Sequence, residues 1–129
     1  MPVKRILVVD DFLPWQRFVQ LMFQSERNLK IIAVAANGFE AVQKAEQLQP
    51  DLILLDIGLP ALNGIEAARQ IRKISPNSKI LFFTQESSTE VVEEALRLGA
   101  HGYLLKTDAA RALLGLPDTR QLNRGWRQV

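Results

Sequence analysis

Five polar residues each follow directly on an apolar run: Asp10 and Asp11 in "LVVDD", Asp56 after "LILL", Thr84 after "ILFF" and Lys106 after "GYLL". Adjacent carboxylates repel, so Asp10 and Asp11 need water or a cation to neutralise them. Three carboxylates in one cleft suit a hard, oxygen-seeking cation. Mg²⁺ takes one or two carboxylates, keeps waters and shares its remaining positions with phosphate. A hydroxyl and an ammonium, Thr84 and Lys106, are what the remaining oxygens of a phosphoryl group require. The chain has no cysteine, no serine at a sharp strand-to-helix turn and no histidine placed for catalysis. An aspartate can itself be the nucleophile and form an acyl phosphate. A single polar residue at a strand end reads as a turn or cap, but five on one edge weaken that reading.

The elements that must gather these residues are legible. Apolar, β-branched runs stand at Arg5 to Val9, Lys30 to Ala35, Asp51 to Leu55, Lys79 to Phe83 and Gly102 to Leu105. Near-continuous apolar runs suit strands buried on both faces of a parallel sheet. Between them lie segments of helical period. Asn37 with Glu40, Asn63 with Glu66 and Ser87 with Glu90 each have capping-box spacing. The first helix should begin near Asp11 to Pro14 and bury Phe18, Val19, Met22 and Phe23. The second should bury Ala41, Val42, Ala45 and Leu48 and stop at Pro50. The third should bury Ile65, Ala68 and Ile71 and stop before Pro76. The fourth should bury Val91, Val92, Ala95 and Leu98 and end at Gly99. Strand and helix in alternation, with right-handed crossovers, predict a doubly wound α/β fold with a five-stranded parallel sheet. Ligands in such sheets bind at the carboxyl ends of the strands, where all five polar residues stand.

Length and charge narrow the function classes. At 129 residues the chain suits one domain. The lack of cysteine suits a reducing compartment, and neither a spanning apolar run nor a signal peptide is present, so the expected location is cytoplasmic and no membrane partner is expected. Lys and Arg number 16 against 14 Asp and Glu, and the excess falls entirely after residue 107. Four scattered arginines there make a thin footprint for nucleic acid, and no helix-turn-helix fits after Lys106, so no direct DNA binding is expected.

From about Lys4 to Ala112 the chain resembles the receiver domain of two-component response regulators, the CheY-like superfamily. The matching stretches are "ILVVDD", "DLILLDIGLPALNGIEAARQIR", "ILFFTQES" and "EALRLGAHGYLLK". Their style is most similar to receivers of NarL/FixJ (LuxR-type) regulators. The resemblance implies a flavodoxin-like (βα)5 fold, with Asp56 as phosphoacceptor. It implies Mg²⁺ held by Asp10, Asp11, Asp56 and the backbone carbonyl of Gly58, with Asp11 as a direct ligand and Asp10 acting through water. Lys106 would pair with the phosphoryl oxygens, Thr84 would move to bond them, and Tyr103 would rotate inward with that movement. Pro60 and Gly64 match the turn after the acceptor. A sensor histidine kinase or phosphotransfer protein would supply the phosphoryl group. The readout would be altered contact with a downstream protein or output domain, near the fourth helix, fifth strand and fifth helix. Receivers of this type also form homodimers through faces that include the fifth helix. Beyond phosphotransfer to itself and its own dephosphorylation, no enzymatic activity is implied.

The chain departs from the family in places. Gln85 stands where receivers usually carry a small residue, and Gly58 and Glu86 occupy positions that modulate hydrolysis of the acyl phosphate. Thr107 follows Lys106 where many receivers have proline. Gly115, Leu116 and Pro117 should cut the fifth helix to about two turns, which divides the chain into a receiver, 1–114, and an atypical tail, 115–129, with no output domain. His101 is expected in a surface turn, Trp15 in packing or partial cover, and Trp126 as an anchor for the tail or a partner. Two alternatives stay open. A phosphorylation-independent adaptor would need none of the five site residues. A Mg²⁺-dependent phosphohydrolase of the haloacid-dehalogenase type would need a second aspartate at the position of Gly58.

Overall fold

A computed structural model of the chain describes residues 3–85 and 89–108. The elements run β1 (Lys4–Val9), α1 (Leu13–Gln24), β2 (Leu29–Ala35), α2 (Gly38–Leu48), β3 (Leu52–Leu55), α3 (Gly64–Ile74), β4 (Lys79–Thr84), α4 (Thr89–Arg97) and β5 (Gly102–Leu105). All pairings are parallel and the strand order is β2-β1-β3-β4-β5. Chain direction across the sheet reverses between β1 and β3, which places the switch point of this doubly wound fold beside Asp10 and Asp56. Lys106 to Asp108 begin a helical turn. The shortened fifth helix, the domain boundary at 114, Trp126 and the cap at Ser87 lie outside the described residues.

Alternation along the strands builds two cores. Ile6 and Val8 of β1, Leu52 and Leu54 of β3, Leu81 and Phe83 of β4 and Leu104 of β5 pack on the face covered by Trp15, Val19, Met22 and Phe23 of α1. Leu7, Val9, Ile53, Leu55, Ile80 and Phe82 face Ala41 and Ala45 of α2, Ala68 and Ile71 of α3 and Ala95 of α4. The central strands are therefore buried on both faces, and each large apolar side chain removed from water contributes roughly 1.5–3 kcal/mol.

The helix ends follow the sequence, with two differences. Asn37 and Asn63 accept the amide N–H of Glu40 and Glu66 at 2.8 and 2.9 Å. The carboxylates of the expected boxes also pair with side chains of their own helices, Glu40 with Lys44 at 2.8 Å and Glu66 with Arg69 at 3.6 Å, while Glu40 keeps a backbone contact with Ala36 N–H just before the cap. The second difference is α1, which starts without a side-chain cap at Phe12 and carries proline in its first turn. Gly99 closes α4 at φ +90°, as its type allows.

Candidate functional site

The parity that builds the α1-side core also sets the site. Asp10 continues Ile6 and Val8, Asp56 continues Leu52 and Leu54, and both carboxyl groups emerge where the strands end. Two amide bonds tie these ends together: Asp10 donates to the Ala35 carbonyl at 3.0 Å and Asp56 to the Val9 carbonyl at 3.0 Å. Asp10 is 1 % exposed and Asp56 8 %, whereas Asp11 faces solvent. One carboxylate oxygen from each of the three lies within 4.8 Å of the others.

Lys106 enters from the end of β5. Its Nζ makes a close ion pair with Asp10 Oδ2 and lies 3.5 Å from Asp56 Oδ2. Among the described residues this ion pair is the partner of the buried Asp10 Oδ2, which has no other hydrogen-bond donor. Asp10 Oδ1 accepts the Phe12 N–H at 2.9 Å. Burial pushes the Asp10 carboxyl above its ordinary range, and the charge of Asp56 adds to the rise; Lys106 and the Phe12 N–H oppose it without cancelling it. An acidic, oxygen-only donor set of three carboxylates within 4.8 Å of one another fits a small hard cation such as Mg²⁺.

The loop after β3 is held against this cluster by two glycines. A Cβ on Gly64 would lie 2.1 Å from the Asp56 carbonyl oxygen, and one on Gly38 would lie 1.9 Å from the Leu62 carbonyl oxygen. Gly64 also donates its N–H to the Ile57 carbonyl at 2.8 Å. Within the loop, Leu62 N–H bonds the Pro60 carbonyl at 2.7 Å around Ala61, whose φ is +67°. Gly58 donates to Asp56 Oδ1 at 3.4 Å, and a Cβ there would meet nothing within 4 Å. Space therefore lies open beside Gly58.

The sequence-expected residues are placed as follows. Asp10, Asp11, Asp56 and Lys106 come together, with Gly58 at their edge. Thr84 ends β4 opposite Leu105, but what is expected of its hydroxyl lies outside the described side chains. Tyr103 on β5 is 39 % exposed. His101 lies in the exposed turn before β5, where its Nδ1 accepts the Ile80 N–H at 3.3 Å. Gly38 carries no signal in the sequence, since a close approach to a distant loop leaves no local trace. Trp15, expected in packing or partial cover, is 9 % exposed in the α1-side core, and its ring also lies 5.1 Å from Lys106 Nζ, a contact its spacing does not announce.

The profile of the response regulator receiver domain matches residues 6–116. The chain belongs to that family. The receiver is 36% identical over 106 residues to the chemotaxis protein CheY of Thermotoga maritima, covering 80% of this chain and 85% of that one. It is 37% identical over 101 residues to the nitrate/nitrite response regulator NarL of Escherichia coli, covering 78% of this chain and 47% of that one. The response regulator domain of Thermotoga maritima CheB superposes with a TM-score of 0.76 at 37% identity, covering 81% of this chain and 78% of that one. The chain spans about half the length of the transcriptional regulators it matches. The receiver is thus a two-component signalling domain of a family of phosphoacceptors, and some of its relatives are protein-glutamate methylesterases of which it matches about a third of the length. No helix among the described residues is long and apolar enough to cross a membrane.

Proposed function

We propose that Asp56 of this receiver, acting in the cytoplasm, accepts a phosphoryl group from the phosphohistidine of a sensor histidine kinase or phosphotransfer protein. The observation that supports this most directly is the cluster itself: three carboxylates within 4.8 Å and one ammonium reaching two of them. Asp10, Asp11, Asp56 and the Gly58 carbonyl would hold Mg²⁺, which when bound offsets negative charge on the transferring group. Asp56 Oδ attacks phosphorus in line as the bond to the imidazole nitrogen breaks. Asp10 and Lys106 hold the acceptor end of the site in register, and the open space beside Gly58 leaves room for the donor. After transfer Lys106 pairs with the phosphoryl oxygens and Thr84 moves toward them. Tyr103 follows inward, and the population shifts between two packings of the loops after β3 and β4. The altered surface then changes contact with a downstream protein or output domain, or with a second copy. The receiver unit is taken as residues 1–114, and slow hydrolysis of the acyl phosphate resets it.

The test is intact-mass analysis after incubation with acetyl phosphate and Mg²⁺. Wild type should gain one phosphoryl group, and Asp56→Asn or addition of a chelator should prevent it. A folded wild type that gains nothing removes the acceptor role and leaves the phosphorylation-independent adaptor as the reading.

A further inference from the structure

Trp15 joins the site to the core in a way that packing alone does not require. Its ring stacks on Phe18 at 5.0 Å and 16° and meets the edge of Phe83 at 5.7 Å and 87°. The indole is 9 % exposed, so two aromatic neighbours and the α1-side core fix its plane. Above that plane lies the Lys106 ammonium, 5.1 Å from the ring centroid. The same ammonium is the partner of Asp10 and Asp56. A lysine carries a compact charge on a flexible four-carbon stem, and two carboxylates on one side do not limit where that stem can place it. A ring face supplies the missing constraint, because its negative quadrupole attracts the cation and does so more strongly where water is excluded.

We infer that Trp15 is a positioning residue for Lys106, holding the ammonium on an aromatic ledge between Asp10 and Asp56 until a phosphoryl group arrives. This rests on the reading of Asp56 as the acceptor. Asp10 and Asp56 then meet a pre-placed charge rather than a mobile one, and part of the cost of ordering Lys106 is met before transfer. Phe83, which touches Trp15, immediately precedes Thr84. The ledge therefore rests on the strand whose end is expected to move.

The experiment uses the full chain, Trp15→Leu and Trp15→Phe, with two readouts. The first is the NMR shift of the Lys106 ε-methylene protons, which an indole face moves upfield of those of the other lysines. That displacement should vanish in Trp15→Leu and shrink in Trp15→Phe. The second is the rate at which acetyl phosphate labels Asp56 at saturating Mg²⁺. It should fall about fivefold in Trp15→Leu and about twofold in Trp15→Phe, with an unchanged Mg²⁺ requirement. A wild-type Lys106 without the upfield shift overturns the placement, and a Trp15→Leu that labels at the wild-type rate overturns the positioning role. Should Trp15→Leu fail to fold, the graded loss in Trp15→Phe decides by itself. A wild type that takes up no phosphoryl group overturns the Asp56 assignment instead, and the proton shift still decides whether Trp15 holds Lys106.

Discussion

Lys106 is a closer partner of Asp10 than of Asp56: its Nζ touches Asp10 Oδ2 and stands 3.5 Å from Asp56 Oδ2. Before any phosphoryl group arrives, the lysine is thus partly occupied in offsetting a buried charge at the end of β1. It does not fully succeed, because burial still holds the Asp10 carboxyl above its ordinary range.

Asp10 should therefore make the metal-free protein less stable as pH rises. Its folded form binds a proton more tightly than its unfolded form. Stability falls as pH climbs from the unfolded value near 4 through the raised folded value, and the full cost is present above it. Asp10→Asn should stabilise the metal-free protein at neutral pH and flatten that slope. Urea denaturation at pH 4, 5.5 and 7 with a chelator checks this; a less stable Asp10→Asn at pH 7 would show that Lys106 needs the charge more than burial penalises it.

Asp11 separates metal binding from folding. It faces solvent, so Asp11→Asn should leave metal-free stability within about 0.5 kcal/mol of wild type. Mg²⁺ at a hundred times its dissociation constant should stabilise wild type by about 2.7 kcal/mol, and Asp11→Asn should lose most of that gain. Thermal melts with and without Mg²⁺ measure both quantities. Equal Mg²⁺ stabilisation of the two proteins would place the cation elsewhere.

Gly64→Ala should damage the site through the backbone. The added carbon would lie 2.1 Å from the Asp56 carbonyl oxygen, and backbone cannot yield as a flexible side chain can. Overpacking of this kind costs about 1–3 kcal/mol or more. The denaturation midpoint should drop, and any folded fraction should label with acetyl phosphate more slowly than wild type. Wild-type behaviour in both assays would mean that the loop after β3 shifts freely.

Ala61→Gly should stabilise the protein. A non-glycine residue at φ +67° carries a steric cost that glycine lacks, offset in part by glycine's greater freedom when unfolded. The net gain should be about 0.5–1 kcal/mol, whereas the β-branched Ala61→Val should lose stability. Paired urea titrations of these variants settle the sign.

His101 should give a modest fall in stability on acidification. Burial first, then the charges of Lys79 and Arg72, hold its imidazole below the ordinary value of 6.5. From pH 6.5 downward the unfolded chain takes up a proton that the folded chain resists, so stability present above that value is lost until the folded pKa is passed. His101→Gln should remove that part of the slope, which melts between pH 5 and 7.5 would show.

The sequence by itself determined the strands, the order of elements and the residues at the carboxyl edge, because burial on both faces of a parallel sheet demands long apolar runs with polar residues only where they stop. Asp10, Asp11, Asp56 and Lys106 were legible for that reason, as were the asparagine caps of α2 and α3. Contacts between segments distant in the chain were not legible. Nothing near Gly38 announces the Leu62 carbonyl, and nothing near Trp15 announces Lys106. Capping-box spacing likewise does not say that Glu40 reaches Lys44 as well as the backbone at the helix start. Only the tertiary structure decides these, because each depends on which side chains the packed helices bring within a few ångströms, and local spacing carries no record of that approach.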